Sequence, residues 1–158
     1  RPISRRTVYV TLLVALVLFI GVLLAASIAG TVIGAAVVGV ADELAMDRLP
    51  LLWLNGLLMW AAFGAIGLAA SVSFDRLTPA LGITLAVVIV SYFLEILGSL
   101  WPDAEVLQPY SLFHYLAARD VLNGDASLGG FVLLVAVIAA AVAWALVVFP
   151  RRDVAAPS

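Results

Sequence analysis

Four long apolar stretches, separated by short polar segments, form the hydrophobic pattern of the chain. They cover residues 8–40, 51–72, 79–100 and 130–149. A hydrocarbon layer about 30 Å thick needs roughly 20 apolar residues in a helix, so each stretch is long enough to cross it. The pattern predicts an all-α polytopic membrane protein with four transmembrane helices in one transmembrane domain, residues 1–158.

The first apolar stretch is longer than a membrane requires. At 1.5 Å per residue, its 33 positions would extend for about 50 Å as a helix. We therefore expect this helix to tilt, protrude or break, with a change of direction in the stretch Gly30-Thr31-Val32-Ile33-Gly34. That stretch also has GxxxG spacing, which lets neighbouring helices approach closely, and we expect ordinary tight packing there.

Proline and threonine positions predict some of the helix ends. Pro50 and Pro79 fit the first turn of the second and third spans, and Thr78 is the expected N-cap of the third. Pro150 follows the fourth apolar stretch, where we expect it to end the helix.

Composition supports a lipid-facing surface and argues against an enzyme. Hydrophobic residues make up 65% of the chain and charged residues 11%, whereas a soluble domain carries about 25% charged residues. The net charge of −2 gives no reason to expect nucleic acid. With no cysteine, no lysine, one histidine and no phosphate-binding GxxxxGK[ST] loop, we expect no catalytic, metal or cofactor site.

Arginine placement predicts the orientation. With four spans, six arginines share one side of the membrane, and the other side has two arginines with seven acidic residues. The six are Arg1, Arg5, Arg6, Arg76, Arg151 and Arg152. The positive-inside rule then places both termini of the sequence in the cytoplasm, with the chain in the cell membrane.

Residues 101–127 are too polar to cross the membrane and rich in aromatic side chains. Trp101, Tyr110, Phe113 and Tyr115 are residue types that settle at the level of lipid headgroups. We expect Pro109 to break the chain and a helix to follow through about residue 122. These features predict a re-entrant or interfacial helix pair on the outer face, with an ordinary outer loop as the alternative.

The remaining candidates are polar residues in the 101–127 segment and within the spans. Ser111 can cap the short helix after Pro109. Glu95, within the third span, is either a polar point on a translocation path or subunit interface, or a hydrated residue near the outer surface. Asn55, in the second span, is expected to make an interhelical hydrogen bond.

Three short motifs resemble those of type 2 ABC transporter permeases, in the order in which that family has them. RPISRR resembles the end of the cytoplasmic loop before the third of six spans, QPYSLFHYL resembles an outer motif, and FPRRD resembles the exit from the last span. The residues that carry the likeness are Pro2, Ile3, Ser4, Arg5, Ser111, Phe113, Tyr115, Phe149, Arg151, Arg152 and Asp153. The family's proline directly after the motif serine is absent here, as is its lysine shortly after the arginine.

The resemblance implies the C-terminal part of a six-span permease, with two further spans before the sequence given. It implies a dimer of identical or paired permeases that exports a substrate, with ATP and magnesium bound by a separate ABC ATPase subunit. Arg5 and Arg6 would anchor the end of the loop that contacts this ATPase, or simply bind anionic lipid headgroups. The sequence does not indicate the substrate.

Two other functions are compatible with the same pattern. One is a membrane scaffold or assembly subunit that works without an ATPase. The other is an ion-coupled secondary transporter, which would be expected to show an inverted repeat and more membrane carboxylates than Glu95. We find no such repeat in the sequence.

Overall fold

A computed structural model of the chain describes residues 4–151, and every regular element in this range is helical. The prediction of an all-α polytopic membrane protein is confirmed. Four of the helices are long and apolar enough to cross a membrane, and a fifth is short. The α-helices are α1 (Arg5–Val38), α2 (Leu49–Ser73), α3 (Leu77–Leu100), α4 (Ala118–Asn123) and α5 (Leu128–Arg151). Two short 3₁₀ helices, Ala41–Glu43 and Met46–Arg48, connect α1 to α2.

Helix α1 is one uninterrupted helix of 34 residues, about 51 Å long. The predicted change of direction between Gly30 and Gly34 is therefore wrong. The helix ends at Gly39, whose φ of 83° lies in the left-handed region that glycine tolerates. The expected tight packing is also wrong within this chain, because a Cβ added at Gly30 or Gly34 would meet no atom within 4 Å.

Helix α2 is the centre of the bundle. It packs against each of the other three long helices. In its spanning window 39% of the residues are buried, against 6% in α1. Its buried face carries mainly small side chains, which allow close approach of neighbouring helices and gain dispersion energy where no water is displaced. The buried alanines are Ala61, Ala62, Ala65, Ala69 and Ala70.

Two clusters of buried side chains mark the two ends of the bundle. At one end, Tyr9 near the start of α1 packs with Ala69 and Ala145, and Phe149 near the end of α5 packs against them. The two described ends of the chain therefore lie together, at what we call the arginine end. The other cluster includes Met59 and packs against residues 112–116, at what we call the acidic end.

The predicted helix ends need two adjustments. Thr78 is not the N-cap of α3, because the helix begins at Leu77 and Arg76 is its N-cap, without a side-chain hydrogen bond. Pro79 lies in the first turn, as predicted. Pro150 was predicted to end the last helix, but α5 includes this proline and is described as far as Arg151.

Candidate functional site

The 101–127 segment folds as three short helical pieces at the acidic end. Two are 3₁₀ helices, Pro102–Tyr110 and Phe113–Leu116, and the third is α4. Pro109 was predicted to break the chain, but it lies inside the first of these 3₁₀ helices. The helix expected to run from Ser111 to about residue 122 is interrupted at Ala117, whose φ of 35° is rare for a residue with a side chain.

Ser111 joins this segment to helix α3. Its side chain is fully buried, and its Oγ donates a hydrogen bond to the backbone carbonyl of Ser91 at 2.7 Å. The same oxygen accepts the backbone N–H of Phe113 at 3.1 Å, but Ser111 is not the predicted N-cap, because the 3₁₀ helix that begins at Phe113 has Leu112 in that position. Because both bonds are shielded from water, Ser111 fixes where the segment turns back onto the bundle.

Phe113 lies at the centre of an aromatic cluster beneath the segment. Its ring centroid is 5.1 Å from that of Phe63 in α2 and 6.0 Å from that of Tyr92 in α3. The ring of Trp60 lies edge-on at 6.3 Å. Tilted and edge-on pairs at these distances are the favoured arrangements of aromatic rings, so this cluster holds the segment against two spans at once.

Asn55 and Tyr115 form a second polar connection. The Nδ2 of Asn55 donates to the backbone carbonyl of Tyr115 at 3.1 Å. The expected interhelical hydrogen bond is thus made to a 3₁₀ helix of the 101–127 segment and not to another span. The Tyr115 hydroxyl donates in turn to the carbonyl of Pro109 at 2.7 Å. Asn55 is 2% exposed, and its Oδ1 has no hydrogen-bond partner among the described residues.

Glu95 lies at the same end and faces the single histidine. Its Oε2 is 3.8 Å from Nδ1 of His114, a distance that makes an ion pair when the imidazole is protonated. The Glu95 side chain is 29% exposed, but its Oε2 is buried and accepts no hydrogen bond from the described residues. The His114 ring packs edge-on against the Tyr115 ring at 5.3 Å. The carboxylate therefore belongs to the same cluster as Asn55 and Ser111.

A small cavity of about 130 Å³ lies between α2, α5 and the 101–127 segment. We call it the Asn55 cavity. Its lining contains an amide, a carboxylate, a hydroxyl, an imidazole, two further aromatic rings and small apolar groups. The lining residues are Asn55, His114, Tyr115, Ala117, Asp120, Val121, Ser127, Gly130 and Phe131.

The predicted inner-anchor residues lie at the arginine end, far along the bundle from this cluster. Arg5 is half-buried and Arg6 is exposed, in the first turn of α1, which Ser4 caps by accepting the N–H of Thr7 at 3.1 Å. Arg151 is the last described residue of α5, and Arg152 lies outside the described residues. The structure thus brings Asn55, Glu95, Ser111, Phe113 and Tyr115 together and separates them from the arginines.

Ser91 and Asp120 are among the site residues that sequence reasoning missed. Ser91 lies one helical turn before Glu95, so its position on the same face of α3 could have been inferred from the spacing. Asp120 lines the Asn55 cavity, and no local sequence signal connects it to Asn55, 65 positions earlier.

Within residues 4–151, no three His, Asp or Glu side chains come close enough together to hold a metal ion. Comparison of the chain with protein-family models, with curated proteins and with solved structures gave no match.

Proposed function

We propose that the chain is the membrane-spanning permease subunit of an ATP-driven exporter of the type 2 ABC class, and that a separate subunit hydrolyses ATP. The observation that carries this proposal is the fold of the 101–127 segment. Directly before the last span, it turns back onto α2 and α3 through the buried hydroxyl of Ser111 and the amide of Asn55. A re-entrant element with a serine, a phenylalanine and a tyrosine at this point is what the resemblance implies.

The charge distribution supports a cytoplasmic location for the arginine end. Tyr9 and Phe149 pack at this end, so the start of α1 and the end of α5 share one side of the bundle. Arg5 and Arg6 begin α1, and Arg76 precedes α3 at the same end. The positive-inside rule assigns such an end to the cytoplasm, where the ATPase would bind.

Arg6 is poorly placed for helix stability, which supports a role outside the helix. A helix N-terminus carries a partial positive charge, so a cation there is unfavourable by about 0.3–1 kcal/mol. The first turn of α1 has no acidic residue to compensate. Anionic headgroups attract each arginine by about 1 kcal/mol, and an acidic surface of an ATPase would attract both.

The open face of α1 supports the expected pairing of two permeases. Gly30 and Gly34 lie one helical turn apart, and a Cβ at either position would meet nothing within 4 Å. Small residues without a neighbour in the chain leave room for the backbone of a second helix to approach.

Co-purification of the full-length protein tests the proposal directly. We expect an ATPase subunit with a phosphate-binding loop to co-purify with it and to be encoded in the neighbouring reading frame. Full-length protein that is stable in the membrane and recovers no ATPase would contradict the exporter and favour the scaffold.

ATPase stimulation tests the role of the arginines. Replacing Arg5 and Arg6 together by glutamine should reduce the stimulation of ATP hydrolysis by the permease. Arg76→Gln is the matched control, because it removes one arginine at the same end outside α1. Unchanged stimulation in the double variant, with normal membrane insertion, would leave Arg5 and Arg6 as lipid anchors only.

A further inference from the structure

We propose that the Asn55 cavity binds a primary ammonium group on a short carbon stem. Asn55 supplies the first reason. One N–H of its Nδ2 donates to the carbonyl of Tyr115, whereas its Oδ1 can only accept hydrogen bonds. This oxygen is buried and has no partner among the described residues. A buried acceptor left unpaired is unfavourable, and an N–H donor in the cavity would satisfy it.

Of the other polar lining residues, Asp120 and Ser127 favour a cation, and the imidazole of His114 faces the Glu95 carboxylate, with 3.8 Å between Nδ1 and Oε2. Asp120 contributes a carboxylate and Ser127 a hydroxyl, both at exposed positions, while no arginine lines the cavity. An ammonium group has three N–H donors, which match an amide oxygen, a carboxylate and a hydroxyl.

An anion would find few free donors. The backbone N–H groups of Gly130 and Phe131, both in the lining, already donate to the carbonyl of Ser127 at 3.2 and 3.5 Å. The first turn of α5 therefore offers less to a phosphate or carboxylate than a free helix N-terminus would, and the cost of its partial positive charge to a cation is smaller than that of one unpaired buried acceptor.

The apolar part of the lining favours an amine over a bare metal ion. Val121 is 1% exposed, and the side chains of Tyr115 and Phe131 line the same space. These groups give a wall for methylene carbons, and aromatic rings also attract cations. A volume of about 130 Å³ holds several non-hydrogen atoms, which suits ethylammonium or the ethanolamine headgroup of a lipid. This inference does not depend on the transport proposal, since it rests only on the lining of the cavity.

Binding of ethylammonium chloride to the full chain in phosphatidylcholine nanodiscs tests the site. Saturation transfer from the protein to the ligand methylene protons measures the affinity. We expect saturable binding, at least about tenfold weaker for tetramethylammonium, which has the same charge and no N–H donor. Equal binding of tetramethylammonium, competition by sodium at the same concentration, or no saturable binding would overturn the proposal.

Substitutions at the exposed mouth locate the ligand without threatening the fold. Asp120→Asn should weaken ethylammonium binding by roughly tenfold or more, as expected for loss of a charge-assisted hydrogen bond. Asp125→Asn is the matched control, because Asp125 is also exposed, lies five residues away and does not line the cavity. Equal affinities of Asp120→Asn and the unmodified chain would refute the assignment.

A second set of nanodiscs distinguishes the two sources of the ammonium group. Phosphatidylethanolamine carries a primary ammonium headgroup, whereas phosphatidylcholine does not. Weaker ethylammonium binding in phosphatidylethanolamine nanodiscs would support the site and identify a lipid headgroup as its occupant. Equal affinity in the two lipids would support a site for free amines.

Discussion

Replacing Ser111 by alanine should release the 101–127 segment from α3. The change removes the donor to the Ser91 carbonyl at 2.7 Å and the acceptor of the Phe113 N–H at 3.1 Å. A buried N–H left without a partner costs about 1–3 kcal/mol. The Ser91 carbonyl keeps its backbone hydrogen bond within α3. Losing the additional bond from Ser111 therefore costs less, about 0.5–1 kcal/mol.

The two losses together make opening of the segment easier by about 1.5–4 kcal/mol, or roughly 10- to 700-fold in its equilibrium constant. Amide hydrogen exchange of peptides covering residues 111–123, measured by mass spectrometry on the full chain in nanodiscs, reports this local opening. We expect faster exchange there by a factor of this size, with little change in α2.

Ser99→Ala is the control for this experiment. Ser99 Oγ also donates to a backbone carbonyl in α3, that of Glu95 at 2.8 Å, and accepts from Nε2 of Gln108 at 3.4 Å, but both bonds are exposed near the end of the helix. Its substitution should cost about 0.5 kcal/mol or less, because water can replace an exposed bond. The reasoning is refuted if Ser111→Ala leaves exchange unchanged, or if Ser99→Ala accelerates it equally.

Three further perturbations have defined outcomes. Asn55→Asp should lower the melting temperature more than Asn55→Ala, because the aspartate places an acceptor oxygen against the Tyr115 carbonyl and buries a charge. The reverse order would contradict the hydrogen bond from Asn55 to Tyr115. Gly21→Ala should lower the melting temperature, because its Cβ would lie 3.2 Å from an indole carbon of Trp53. Gly30→Ala should raise the melting temperature, because its Cβ has open space and alanine gains up to about 1 kcal/mol of helix propensity. Equal melting temperatures of the two variants would argue against the contact at Gly21. The chain has no cysteine, so a single one at position 125 should react on intact cells with a membrane-impermeant maleimide, and one at Arg6 only after the membrane is opened; the opposite pattern would reverse the orientation.

The spanning helices could be predicted from the sequence because lipid imposes a simple rule. A helix that crosses about 30 Å of hydrocarbon must be apolar for roughly 20 residues, whatever its neighbours are. The predicted start of the first span at residue 8 differs from that of α1 by three residues. Where the prediction was wrong, at Gly30 and Gly34, it treated glycine as a breaker, although a glycine inside a long apolar helix is tolerated.

The 101–127 segment could not be predicted in the same way, because its form depends on distant contacts. Ser111 was predicted to be an N-cap, and although it accepts the N–H of Phe113, the N-cap of the following 3₁₀ helix is Leu112. The other bond of Ser111, to Ser91, and the bond between Asn55 and Tyr115 join residues 20 and 60 positions apart. Nothing about an alanine at position 117 predicts a left-handed conformation, so the end of the short helix there was missed.

The central place of α2 also escaped prediction, although its sequence carries a signal for it. The helix segment containing α2 has the lowest mean hydropathy of the four spans, 1.7 against 3.0 for α1, and yet the largest buried share. In water, the most buried helix is usually the most apolar, but in a membrane lipid is as apolar as leucine and exposure costs nothing. What lipid disfavours is a polar group such as Asn55, and what packing requires is small side chains such as Ala62 and Ala65. A span with both features is better placed among other helices than in contact with lipid, and this is where α2 lies.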